Sequence, residues 1–206
     1  MFETFRNVFQ LDELEDLAVV QATPKSGTLE IDQLLKQFGG RSFNQGMYRI
    51  ISAGAVARWK ERATNGFPRF AGRVTPFGFD WLGRLFALDS ARHVKGMSAV
   101  VMLEPGTGQA LEVPCGLVAF HDAELIGYGE EALAESFYKS WRATGGAAPR
   151  VGQCVGYKKP LFLGGSDTTD NLELVKLDVY WEISAQLLDK TRDLPIGTEV
   201  NNITIS

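Results

Sequence analysis

The sequence is poor in the residues that most often carry catalysis and metal binding. Among 206 residues there are only two histidines, His93 and His121, and two cysteines, Cys115 and Cys154. Two cysteines are too few for the disulfide framework of a small secreted domain. The four residues are of the right types for zinc, yet no CxxC-like pair gives the short spacing that zinc ligands usually show. Each cysteine lies in an apolar stretch, where a thiol behaves as a small hydrophobe. A Ser–His–acid triad needs a histidine oriented by an acid. Asp122 follows His121, but adjacent side chains do not normally face each other in that way, and no GxSxG elbow accompanies either histidine. No catalytic residue, metal or cofactor is expected.

Long apolar runs are missing too. Nothing approaches the roughly 18 apolar residues of a membrane span. The opening MFETFRNVFQLDELEDL is interrupted by Glu3, Arg6, Asp12, Glu13, Glu15 and Asp16. It has neither the apolar core nor the small-residue cleavage site of a leader, so a cytoplasmic location is expected. Glycine is plentiful at 22, but neither GxGxxG nor GxxxxGK[ST] occurs. The Gly164-Gly165-Ser166-Asp167 run lacks the lysine and the apolar helix of a phosphate loop, and reads as a turn. The formal net charge is −4. The basic surplus of a nucleic-acid binder is therefore absent; the modest negative charge is compatible with a basic protein partner, and equally serves to keep the protein soluble.

What remains is the pattern of an α+β protein: a mainly antiparallel sheet with helices packed on it, as one compact unit or two closely packed subdomains. Helical spacing is expected with Leu11, Leu14 and Leu17 on one side, then a turn at residues 23–27. Thr28 is placed to cap a second helix whose buried stripe is Ile31, Leu34, Leu35 and Phe38, with Gly39-Gly40 as its stop. Residues 47–51 read as a strand and 52–64 as a helix. FAGRVTPFGFDWLGRLFALD reads as strands joined by tight turns. Residues 100–103 and 110–113, flanking Glu104-Pro105-Gly106-Thr107-Gly108, read as a hairpin. Residues 130–141 read as one amphipathic helix. Tyr157 to Leu163 reads as a buried strand, with Leu161 and Leu163, or Phe162, facing the core. Leu177, Tyr180, Ile183, Leu187 and Leu188 mark a last helix, followed by a turn at 194–197 and a terminal strand at 200–205.

Four runs carry a resemblance: GMYRII (46–51), TPFGFDWLGRLFALD (75–89), QCVGYKKPLFLGGSDTTDNLE (153–173) and VYWEISAQL (179–187). From about Leu34 onward the chain resembles the bacterial immunity proteins paired with DNase effectors of type VI secretion systems. PLFLGG, with Asn171-Leu172-Glu173 after it, is the strongest piece. The resemblance implies a GAD-like N-terminal region over 1–95 and a C-terminal immunity domain over 96–206. It also implies no catalysis and a cognate toxin, a nuclease, as partner. A hydrolase with an unrecognised active site and a regulatory protein-binding module are the alternatives.

Candidate contacts follow from the charge pattern. A nuclease site is basic or metal-filled so that it can hold phosphate, and carboxylates on a loop can block it. Asp167, Asp170 and Glu173 lie in a glycine-led loop with no basic residue between them, and loops concentrate binding residues. Asp80 and Trp81, between Gly78 and Gly83, form a second candidate at an expected exposed turn, where a tryptophan is either a core plug or a partner anchor.

Overall fold

The computed structural model describes residues 1–13 and 28–194. Leu14, Leu17, the turns at 23–27 and 195–197 and the terminal strand at 200–205 lie outside them.

Six antiparallel strands form the frame. They run in spatial order β1 (Ser42–Phe43), β2 (Tyr48–Ile50), β3 (Val74–Asp80), β4 (Leu85–Val94), β5 (Met97–Glu104) and β6 (Gln109–Val113). Strands adjacent in sequence are adjacent in space; tight turns join β3 through β6, while the connection from β2 to β3 carries the helix Val56–Gly66. The expected hairpin is present, with Val100 opposite Val113 and Leu103 opposite Ala110. The turn at residues 95–96, where the expected domain boundary falls, joins β4 to β5 inside this sheet.

Strands β3 to β5 are apolar on both faces, so both faces are covered. On one face Phe77, Phe86, Leu88, Val100 and Met102 meet α1 (Glu3–Val8), α2 (Leu29–Phe38) and the helical stretch 117–127. On the other, Phe79, Leu85, Ala87, Val101 and Leu103 meet α3 (Val56–Gly66) and α8 (Leu177–Thr191). Trp181 seals this second layer: it contacts Trp59, Phe67 and Phe79 and donates from Nε1 to the Gly83 carbonyl at 2.8 Å.

Pro76 lies inside β3, where it cannot donate to the ladder; the register shifts between Pro76 and Gly78, the bulge that such a proline calls for. Gly78 is required by close approach, because a Cβ there would sit 2.7 Å from the Tyr48 hydroxyl.

The second helix matches its expected stripe, burying Ile31, Leu34, Leu35 and Phe38. Three expectations are corrected. A helix that the apolar spacing did not indicate, Glu3–Val8, is set by the buried Phe2, Phe5 and Phe9; Leu11, expected on a helix face, is exposed and bridges to Phe43, and the rest of that expected face lies outside the described residues. Residues 130–141 are not one helix. α6 (Gly129–Leu133) and α7 (Glu135–Ala143) meet at Ala134, which is left-handed at φ 50°. The break frees the Ala132 and Leu133 carbonyls to accept from the buried Arg84 and Trp81 side chains.

The third correction concerns residues 157–163. Strand β7 (Gln153–Tyr157) stops at Tyr157, where its partner β8 (Leu172–Lys176) begins. Pro160 has no N–H for a ladder, and the Leu161 amide turns to the Gly106 carbonyl at 2.9 Å. Leu161–Leu163 is a 3-10 turn with no buried residue. Gly164, at φ 79°, reverses the chain as expected. The β7–β8 hairpin hangs on the main sheet through the Val155 amide, which donates to the Trp81 carbonyl at 2.7 Å.

Short helices α4 (Leu117–Ala119) and α5 (Leu125–Gly127) flank a π-helical turn, Phe120–Glu124, that brings His121 into the core.

Candidate functional site

The loop between Gly164 and Glu173 is a built structure. Asn171 anchors it: its side-chain amide donates to the carbonyls of Lys159 and Ser166, both at 2.8 Å, and its side-chain oxygen accepts the Lys159 amide at 3.0 Å. Asp167 accepts the Tyr157 hydroxyl at 2.7 Å, and Lys158 donates to the Asp170 carbonyl at 2.8 Å. Asp167, Asp170 and Glu173 are all exposed. The carboxylates of Asp170 and Glu173 take no hydrogen bond among the described residues, so both face water. Two lysines that precede the loop in sequence thus lie against it, which spacing along the chain conceals.

Asp80 and Trp81 are not on an exposed turn; both are fully buried. Trp81 packs on Phe137 and Tyr138 and donates to the Leu133 carbonyl at 2.8 Å. Asp80 pairs with Arg84 at 2.5 Å and accepts the Arg84 amide at 2.8 Å. Burial pushes the Asp80 carboxyl up, and Arg84 and Arg49 pull it back toward the ionised form. The glycines around this pair serve a tight turn under the α6–α7 junction, which no local sequence signal distinguishes from a surface turn.

The histidines do not form an active site. His93 is exposed. His121 is fully buried among Phe2, Phe5, Phe77 and Phe120, with Nδ1 2.8 Å from the Leu117 carbonyl and Nε2 2.9 Å from the Tyr48 hydroxyl. A carbonyl only accepts, so Nδ1 carries the proton and Nε2 accepts from Tyr48. Cys115 and Cys154 are free and buried; burial pushes the Cys115 thiol up to about 12 and Cys154 higher still. Such thiols are poor nucleophiles. Among the described residues no group of three or more His, Cys, Asp or Glu is arranged to hold a metal. No described helix is long and apolar enough to cross a membrane.

Sequence reasoning missed a cleft of about 530 Å³. Asp12, Glu13, Arg41, Ser42, Gln45 and Gly46 form one wall, and Arg142 with residues 147–151 forms the other. Its first wall is a strained loop in which Asn44, Gln45 and Gly46 are all left-handed, at φ 52°, 60° and 83°. Consecutive left-handed residues turn their amides to one side, which suits an anion. Asp12 supplies it: its carboxylate accepts the amides of Gln45 and Gly46 at 2.6 and 2.7 Å and the Ser42 hydroxyl at 2.6 Å. The Tyr138 hydroxyl donates to the Gln45 carbonyl at 2.5 Å. Beneath the second wall, the buried Arg49 donates to the Arg150 carbonyl at 2.7 Å. Asn44-Gln45-Gly46 is turn chemistry; that it faces residues 147–151 is purely tertiary.

Residues 121–188 match a family of immunity proteins. The family is described as the C-terminal part of the type VI secretion (T6SS) immunity protein Tdi1. The match supports a type VI immunity protein that binds a toxin, a role without catalysis. It contains the loop with Asp167, Asp170 and Glu173 and the second wall of the cleft, but neither Asp80 and Trp81 nor the first wall. The crystal structure of Atu4351 from Agrobacterium tumefaciens superposes with a TM-score of 0.59 at 16% identity, over 90% of this chain and 89% of that one. At that identity the likeness is one of fold. No curated protein matches the chain.

Proposed function

We propose that the protein neutralises a DNase effector of a type VI secretion system by binding it in the cytoplasm, where the effector's DNA substrate lies. The match of residues 121–188 to an immunity family carries the reading. The exposed acidic loop within that match adds chemistry suited to a nuclease. A surface that holds DNA phosphates is positive, and carboxylates presented on a braced loop attract it and compete with phosphate. Residues 1–95 take the GAD-like part in this reading and complete the sheet on which the matched segment rests. The buried, unpaired thiols suit a reducing compartment.

The test is co-expression with the effector encoded in the adjacent open reading frame. The expected result is restored growth, intact chromosomal DNA and co-purification of the two chains. Failure of both rescue and complex formation rejects the immunity role. Rescue from an effector that arrests growth while leaving DNA intact keeps that role and rejects the DNase.

A further inference from the structure

The acidic loop leaves the cleft unexplained, and the cleft has the opposite character. In a chain of formal net charge −4, three arginines, Arg41, Arg142 and Arg150, line one open depression. Two acids share it, but the Asp12 carboxylate is occupied by three hydrogen bonds within its own wall. Arg41 makes no side-chain hydrogen bond or ion pair among the described residues, and Arg142 makes only a 3.3 Å contact with the Tyr138 hydroxyl and lies over its ring. Pro149 and Val151 add apolar surface beside these cations.

We propose that this cleft is a second contact site, which receives a segment of the cognate toxin bearing Asp or Glu side chains. The inference rests on the immunity reading and deepens it. A guanidinium fork matches a carboxylate in two parallel hydrogen bonds, and the apolar floor accepts the methylene stem behind it. The strained 44–46 loop is fixed in advance by Asp12, Tyr138 and Asn44, whose side-chain oxygen accepts the Gln10 amide. Binding therefore orders little backbone, and strain held at such a place is a mark of function. A polyanion such as DNA fits less well, because Glu13 lies on the rim and the remainder of the chain is acidic. An acidic loop and a basic cleft on one molecule together fix the partner's orientation, since a rotated partner sets like charges against each other.

The experiment measures the affinity of the full chain for the adjacent-frame effector domain, purified in a catalytically inactivated form, at low and high salt. Arg41→Glu and Arg142→Glu are each expected to weaken binding about tenfold or more and to reduce its salt dependence. Arg58→Glu, at an exposed position of α3, is the control and leaves affinity unchanged. Arg142→Glu removes a contact to Tyr138 and can disturb folding. Arg41→Glu removes none and is decisive, provided its melting temperature equals that of the unmodified chain. A hexaglutamate peptide should compete with the effector, and inorganic phosphate at equal charge should not. No binding by the unmodified chain rejects the immunity reading itself. Full-strength binding by Arg41→Glu rejects the cleft alone. Equal competition by phosphate overturns the peptide assignment in favour of a small-anion site.

Discussion

His121 shows how one side chain reports on the whole core. Burial, the largest cause, drives its imidazole down to about 4, against the weaker upward pull of the Leu117 carbonyl and Asp122. The unfolded chain takes up a proton near pH 6.5, whereas the folded chain refuses it until near pH 4. The unfolded state thus binds more protons in that window, so the stabilisation is complete above about 6.5 and is lost as pH falls toward 4, by about 3 kcal/mol in all. Thermal melts across this range should show the decline, and His121→Gln should flatten it while lowering stability at neutral pH. The Asp80–Arg84 pair predicts a different loss. Asp80→Asn leaves a buried guanidinium without its counter-charge and should cost about 3–5 kcal/mol in urea unfolding. Replacing both partners by apolar residues should cost less than that single change.

At the level of elements, the junctions decide more than the helices and strands do. Ala134 holds a left-handed conformation that costs an L residue about 1–2 kcal/mol. Ala134→Gly should therefore be neutral or stabilising, whereas Ala132→Gly inside α6 should lose about 0.5–1 kcal/mol. Equal losses at both positions would remove the break from the solution structure. Gly46 works in the reverse sense: a Cβ there would meet the Pro149 carbonyl at 2.3 Å in a backbone at φ 83°, so Gly46→Ala should destabilise the protein and open the cleft. The acidic loop tests the charge reading. Its scaffold is chiefly Asn171, and the one carboxylate bond at stake is that from the Tyr157 hydroxyl to Asp167, so Ala at Asp167, Asp170 and Glu173 together should leave the fold largely intact. Affinity for the effector should fall, mainly through slower association if the contact is peripheral. Unchanged affinity would remove the loop from the interface.

At the level of the whole molecule, the sheet runs unbroken across residues 95–96. The β4–β5 hairpin crosses residues 95–96, and Phe2, Phe5 and Phe9 pack into the same core as Phe77, Phe86 and Phe120. A fragment of residues 96–206 would expose the edge of β5 and the apolar faces that β3 and β4 cover. It should lack a cooperative melt and bind a hydrophobic dye, while the full chain melts in one transition. A fragment that melts cooperatively would establish the second part as an autonomous domain. Charge is segregated on the same scale: acids project from the 164–173 loop, and guanidinium groups line the cleft between the 41–46 and 147–151 segments.

Periodicity and turn chemistry by themselves determined the second helix with all four of its buried residues, the 100–113 hairpin, the strands in FAGRVTPFGFDWLGRLFALD and the last helix. These signals are local, carried by residues within one or two turns of each other. The same local view expected an exposed turn at Asp80 and Trp81 and left Trp81 open between core plug and partner anchor; it also extended β7 through Pro160 and fused α6 with α7. Each error has one physical source. A glycine-flanked turn looks alike whether water or another helix covers it, and a helix breaks where distant donors, here Trp81 and Arg84, compete for its carbonyls. The acidic loop was legible because its carboxylates are contiguous in the chain. The cleft was not, because Arg41 and Arg142 are a hundred residues apart and become neighbours only when Tyr138 and Arg49 fasten their two walls together.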